Sequence, residues 1–128
     1  MPYLQLDLPL PVAADHRPEL ATRLAAVYAE VMDTVPHVVT VAFRELGENG
    51  VLRNTASGVV PAVVVSCDIR RGRAPEVRLE LGHRVAELIE ETLAWPRDRV
   101  ILEFTQHSGD EIYREGRLSE DWAPGGRR

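Results

Sequence analysis

The sequence predicts an α+β fold, in which two β-α-β repeats form one four-stranded mixed sheet with both helices on one face. Three observations predict it. Two segments with helical periodicity, residues 15–33 and 75–94, each lie between runs of alternating or β-branched residues. The punctuation repeats: Arg17-Pro18-Glu19-Leu20 is echoed by Ala74-Pro75-Glu76-Val77, and Val35-Pro36 by Trp95-Pro96. The strands after those turns both pass through a phenylalanine, Phe43 and Phe104. The echo has a period of roughly 60 residues, the mark of a duplicated supersecondary unit.

Each element has its own reason. Pro2 to Leu8 alternates, with Leu4, Leu6 and Leu8 on one face, and stops at the breaker Pro9-Leu10-Pro11. Asp15 is placed as a helix N-cap, followed by Arg17-Pro18 and the acidic Glu19, which suits the positive end of a helix. Leu20, Leu24, Val27 and Val31 then recur at helical spacing up to about Asp33. Val38 to Phe43 is rich in β-branched residues and reads as a second strand. Gly47 to Gly58, with three glycines and two asparagines, is the longest break. Ala62 to Ile69 is an apolar strand of the buried kind. Pro75-Glu76 opens a second helix with Leu81, Val85, Leu88 and Ile89 inward, Trp95-Pro96 ends it, and Val100 to Phe104 is the last strand.

The 128 residues fit a single domain, 1–128, with a first β-α-β unit over about 2–45 and a second over about 62–105. A helical crossover makes the two strands of each unit parallel. The sheet face away from the helices is expected to be too apolar for water, and so to be covered by other subunits. The tail, 106–128, is polar with Ile112, Tyr113, Leu118 and Trp122 interspersed. It reads either as a frayed terminus or as an inter-subunit arm on a neighbour's sheet edge.

Composition narrows the function classes. With 45% hydrophobic and 27% charged residues the chain is ordinary globular protein, and its net charge of −5 argues against nucleic acid as a partner. No apolar run approaches the roughly 18 residues of a membrane span, and no signal peptide is visible, so the expected compartment is the cytoplasm. Cys67 is a lone cysteine, which fits a reducing environment. His16, His37, His83 and His107 are scattered without metal-ligand spacing, and the glycines match no phosphate loop, so no metal or cofactor is expected.

Two features can carry chemistry. Pro2 follows Met1, and loss of the initiator would expose a secondary amine on a rigid ring at a strand start. Such an amine serves as general base, general acid or nucleophile once its pKa is drawn toward neutrality. Its plainer role is to begin an edge strand. The second feature is Arg70-Arg71-Gly72-Arg73, where a strand ends and a helix begins. Guanidinium forks there suit a carboxylate, while the plainer reading is a solvated turn pairing with Glu76 and Glu80. If strands one and three run antiparallel, Pro2 and the arginines meet at one end of the sheet. Arg71 is expected to point away.

Pro immediately after Met, two β-α-β units and a Gly-Arg at a strand-to-helix junction resemble the tautomerase superfamily. Arg70 to Ala74, with Glu76 and Arg78, is similar to the pattern in cis-3-chloroacrylic acid dehalogenase and its relatives, and Gly72-Arg73 to the Gly-Arg of 4-oxalocrotonate tautomerase. The resemblance covers about residues 2–105 and implies a homotrimer with shared active sites. It assigns Pro2, Arg70 and Arg73 as catalytic residues, the two arginines also binding a small carboxylate substrate. Tyr28 stands nearest to the position where the dehalogenases have a histidine and is taken as substrate-binding. Glu111 and Glu115 are the candidates for a water-activating carboxylate in the tail. The implied activity is keto-enol tautomerisation of small α-keto or enol carboxylates. Hydration, dehalogenation or decarboxylation at the same site, or a non-catalytic oligomeric binding protein on the same fold, are the alternatives. The Cys-x-x-Cys pair of macrophage migration inhibitory factor is lacking, since Cys67 stands alone.

Overall fold

The computed structural model describes residues 2–126. The expected removal of Met1 therefore lies outside the described residues. Leu4, Leu6 and Leu8 alternate into the core as fully buried side chains and define β1, Tyr3–Leu8. Helix α1, Arg17–Met32, starts one residue later than an Asp15 cap would set it. Asp15 sits in a turn closed by His16 N–H donating to Ala13 O at 2.9 Å, and His16 takes the cap position without a side-chain bond. That turn feeds Arg17-Pro18 directly into the first helical turn, where proline's missing N–H costs nothing. The buried stripe is Leu20, Leu24, Tyr28 and Met32, one residue per turn, while Val27 and Val31 pack at its margin.

Val38 belongs to a 3₁₀ turn, Pro36–Val38, because Pro36 presets the backbone for a tight turn, so β2 runs over Thr40–Glu45. The long break contains a hairpin, β3 (Leu52–Thr55) and β4 (Gly58–Pro61), which pair antiparallel. Strand β5 spans Val63–Arg70, helix α2 Pro75–Leu93 and β6 Val100–His107. The tail adds a 3₁₀ turn at Gly109–Glu111 and a short hairpin, β7 (Tyr113–Arg114) with β8 (Arg117–Leu118).

The main sheet has the order β2-β1-β5-β6, with β1 parallel to β2, β5 parallel to β6, and β1 antiparallel to β5. The duplication extends to backbone detail. Asp33 and Ala94 cap the two helices in the left-handed region, at φ 51° and 53°, and each is followed by a 3₁₀ turn and a strand. Both helices pack side by side, and their buried stripes share one core with the inward residues of the sheet.

The other sheet face differs from its expected apolar character. Registers place Tyr3, Gln5 and Asp7 of β1 beside Ser66 and Asp68 of β5, with Glu103 and Thr105 of β6 beyond. Tyr3 Oη donates to Gln5 Oε1 at 3.2 Å, and Arg44 Nε to Asp7 Oδ1 at 2.7 Å. Only Ala42, Val64 and Ile101 interrupt this polar ladder among the paired positions. The apolar impression came from the inward half of each strand, which the helices already cover.

Cys67 and Tyr28 are buried ionisable groups of the core. Burial pushes the Cys67 thiol up to about 12, helped by Asp68. In the unfolded chain the thiol and phenol lose their protons near their ordinary values of 9 and 10, whereas in the fold both hold them to about 12. The unfolded state therefore binds fewer protons across that window. Stability is full below about pH 9 and falls toward pH 12, by up to ~1.4 kcal/mol per pH unit per group. Urea midpoints at about pH 8 and about pH 10.5 should show the drop, and Cys67→Ala should remove the thiol's share. An unchanged midpoint in the parent protein would contradict it.

Candidate active site

Pro2 is buried just before β1, and its carbonyl accepts the Thr40 N–H at 3.1 Å, which fixes it beside the start of β2. Antiparallel pairing sets Tyr3 opposite Asp68, so Pro2 stands level with the carboxyl end of β5, where Arg70 lies. The parallel crossover brings the carboxyl end of α1 to the same end of the sheet. One cavity there is lined by Pro2, Tyr28, Arg70 and Arg73 together. These four are the site residues read from the sequence, and the fold brings them to one place.

The arginines are anchored rather than solvated. Arg73 is 7% exposed, and its Nε donates to Met32 O at 2.7 Å. Its guanidinium lies 4.9 Å from the Trp122 ring centroid and 5.9 Å from that of Tyr28. Arg70, 8% exposed, donates to Glu120 O at 3.0 Å. Arg71 is exposed, as expected, and contributes only its backbone, receiving Trp122 N–H at 2.7 Å and donating to His107 O at 2.8 Å. Gly72, at φ 129°, has no room for a side chain, since a Cβ there would stand 2.0 Å from Trp122 O. The glycine of the Gly-Arg pair is thus explained by the tail that lies against it.

Tyr28 is fully buried, and desolvation pushes its phenol up to about 12 against the lowering pull of Arg73 and Arg70. It is a neutral hydrogen-bond donor at ordinary pH. The cavity holds about 10 Å³, room for roughly one water. A wider groove of about 560 Å³, bounded by Leu10, Val12, Leu20 and Leu93, opens at the other end of the fold, away from all four site residues.

The tail closes the site over its own chain. Trp122 Nε1 donates to Asp33 O at 3.1 Å, and Gly109 N–H to Asp121 Oδ1 at 2.7 Å. Arg114, Arg117, Ser119 and Glu120 complete the lining. Glu111 and Glu115 do not: both are exposed, one in the 3₁₀ turn and one at the hairpin tip. Among the described residues of the tail, Glu120 is the acidic residue that lines the cavity, and its backbone carbonyl is the group that meets Arg70. Sequence reading missed Arg114 and Arg117, although a signal existed. Glu115-Gly116, with φ 53° and 81°, is a two-residue turn in which both central residues are left-handed. Such a turn predicts that the flanking arginines face each other.

Two β-α-β units around a four-stranded mixed sheet give this chain a tautomerase-like fold. The solved structures agree. The chain matches N1, a member of the cis-3-chloroacrylic acid dehalogenase family, with a TM-score of 0.79 and 18% identity, covering 93% of this chain and 84% of that one. It matches Pt0534 inactivated by 2-oxo-3-pentynoate at 0.77 and 19%, covering 91% and 94%. The wild-type asymmetric trimer of F6 fused 4-OT gives 0.76 and 16%, covering 91% and 94%. No protein-family model and no curated protein matches the sequence.

Proposed function

We propose that this protein is a cytoplasmic tautomerase-type enzyme acting on small α-keto or enol carboxylates, with the Pro2 amine as general base and acid. The convergence of Pro2, Tyr28, Arg70 and Arg73 on one buried cavity carries this reading. With Met1 removed, the Pro2 nitrogen is a secondary amine beside two guanidinium groups, which disfavour its protonated form. It takes the enol O–H proton and returns a proton to the adjacent carbon, giving the keto form. Arg70 and Arg73 hold the carboxylate and offset the charge that develops on the enolate oxygen. Tyr28 supplies a neutral donor to the same oxygen. Because the closed cavity has room for roughly one water, substrate enters as the tail segment that includes Glu120 lifts from Arg70.

Self-association as a homotrimer belongs to the same proposal. The F6 fused 4-OT structure is a trimer. Here Leu52, Val59, Tyr113 and Leu118 are exposed on the two hairpins, and β2 and β6 end the sheet. The tail would then serve both its own site and a neighbour's edge. Among the described residues no helix is long and apolar enough to cross a membrane.

A second reading, hydration or dehalogenation of an unsaturated acid, rests on Glu120, an exposed residue of the cavity lining that touches Arg70 through its carbonyl and would have to turn its carboxylate inward to activate water. Phenylenolpyruvate and cis-3-chloroacrylate separate the two. Protein whose intact mass shows loss of Met1 is expected to accelerate ketonisation of the enol, read by ultraviolet absorbance. Halide release from cis-3-chloroacrylate would favour the second reading. Neither reaction rising above buffer would sink both. Ultracentrifugation of the same sample should report about three chains per particle, and a stable monomer would end the shared-site picture.

A further inference from the structure

The duplication that places the four site residues also makes a counterpart at the opposite end of the sheet. Their cavity lies where β5 ends, α2 begins and α1 ends. In the other half the matching place lies where β1 ends, α1 begins and α2 ends, and the antiparallel pairing of β1 with β5 turns it the other way. The groove of about 560 Å³ occupies that place, lined by the 10–13 loop, the first turns of α1 and the last turn of α2. Its size is that of a small-molecule site, and Glu45 fixes part of its wall by accepting the Val12 N–H at 3.1 Å. The chemistry of the first cavity is missing from it. Ala62 precedes β5 as Pro2 precedes β1, but its nitrogen is an amide that donates to Val51 O at 3.2 Å. The junction Leu10-Pro11-Val12-Ala13 carries no cation in the place of Arg70 and Arg73.

The charge that remains has the opposite sign. Arg23 of the lining pairs with Glu91 at 3.4 Å, which leaves Glu19 as a carboxylate with no ion pair among the described residues. The last turn of α2 holds Glu91, and Glu90 bound to Arg97, but no basic residue of its own, against the sense of the helix dipole. In α1 the Asp33 N–H closes on Ala29 O, whereas among the described residues no such bond closes α2. The carbonyls of its last turn are therefore open acceptors on the groove. We propose that this groove is a second, non-catalytic site for a small organic ammonium carrying an apolar chain. The chain lies on Leu10, Val12, Leu20 and Leu93, and the head meets Glu19 and the open end of α2. An ammonium brings donors and no acceptor, which suits such a rim, whereas a carboxylate is repelled by it. The two ends of the fold thus take ligands of opposite charge.

Titration of the isotope-labelled full chain with hexylammonium, hexanol and hexanoate, read by amide chemical shifts, tests this, because the three share one chain length and differ in the charge of the head. Hexylammonium is expected to shift residues 10–23 and 91–94 saturably. It should bind there about three- to tenfold more tightly than hexanol, the scale of an exposed ion pair plus a helix-end field. Hexanoate should leave those residues unmoved. Butylammonium should bind more weakly, by up to about fourfold per methylene removed. Glu19→Gln should cut hexylammonium affinity by about two- to fivefold and leave hexanol unchanged. Ala13→Trp, which fills the groove, should weaken both. No saturable shift at 10–23, shifts confined to the Pro2 cavity, equal affinities for ammonium and alcohol, or a Glu19→Gln variant that binds as the parent does would each overturn the site. If Ala13→Trp fails to fold, judged by its amide spectrum, Glu19→Gln and the chain-length series decide.

Discussion

Pro2→Ala is expected to lower kcat for enol ketonisation by ~10²–10⁴-fold, the usual contribution of a positioned base. The argument starts from the backbone. The carbonyl of residue 2 accepts the Thr40 N–H, and alanine keeps that bond, so the strand pairing survives. What is lost is a fixed secondary amine and a buried ring. An extra residue placed before Pro2 should be at least as damaging, because the nitrogen becomes an amide with no basic lone pair. The pH profile gives a second check. An unperturbed terminal amine titrates at ~7.7–8.0, and neighbouring guanidinium groups push it lower by disfavouring the charged form. The free-enzyme kcat/KM should therefore rise with pH through a single group below that range. If both variants retain full activity with unchanged circular dichroism, Pro2 only begins a strand, and the enzyme reading falls with it.

Much of this arrangement was legible because it rests on period and punctuation. Leu4, Leu6 and Leu8 alternate, the helices carry four-residue stripes, and the paired Val-Pro and Trp-Pro turns declare a duplication. Once the two halves are related, the antiparallel meeting of β1 and β5 brings Pro2 to Arg70. The rest depended on features with no period. Strands β3 and β4 are four residues each, and Leu-Arg-Asn-Thr shows no alternation against Gly-Val-Val-Pro. The tail is positioned by backbone groups, Trp122 N–H on Arg71 O and the Glu120 and Trp122 carbonyls against Gly109 and Gly72. Such contacts leave a glycine in the sequence but do not say what lies beside it. The polar sheet face was hidden for another reason: Gln5, Asp7, Ser66 and Asp68 were outweighed by the apolar residues between them. This matters for assembly, because subunits meeting on that face would do so through hydrogen bonds and charge. Apolar burial would come instead from the exposed leucine and valine of the β3–β4 hairpin.

Arg73→Ala is expected to damage two things at once, and the two can be told apart. Structurally it removes the donor to Met32 O and the cation stacked against Trp122. A buried carbonyl left without its partner costs about 1–3 kcal/mol, so the melting temperature should fall and the tail should loosen. Chemically it removes one fork from the carboxylate, worth ~1.5–3 kcal/mol, or a loss of ~10–150-fold in kcat/KM for phenylenolpyruvate. A neutral enol, which offers no carboxylate, should lose much less. Arg73→Lys keeps the charge and can still reach Met32 O, but it gives up the planar fork, so it should recover stability more fully than activity. Arg71→Ala is the control: its side chain is exposed and its backbone bonds persist, so stability should stay within about 0.5 kcal/mol. Equal losses on charged and neutral substrates, tracking the fall in melting temperature across the three variants, would make Arg73 a strut between α1 and the tail. A loss confined to carboxylates would make it the reader of the substrate.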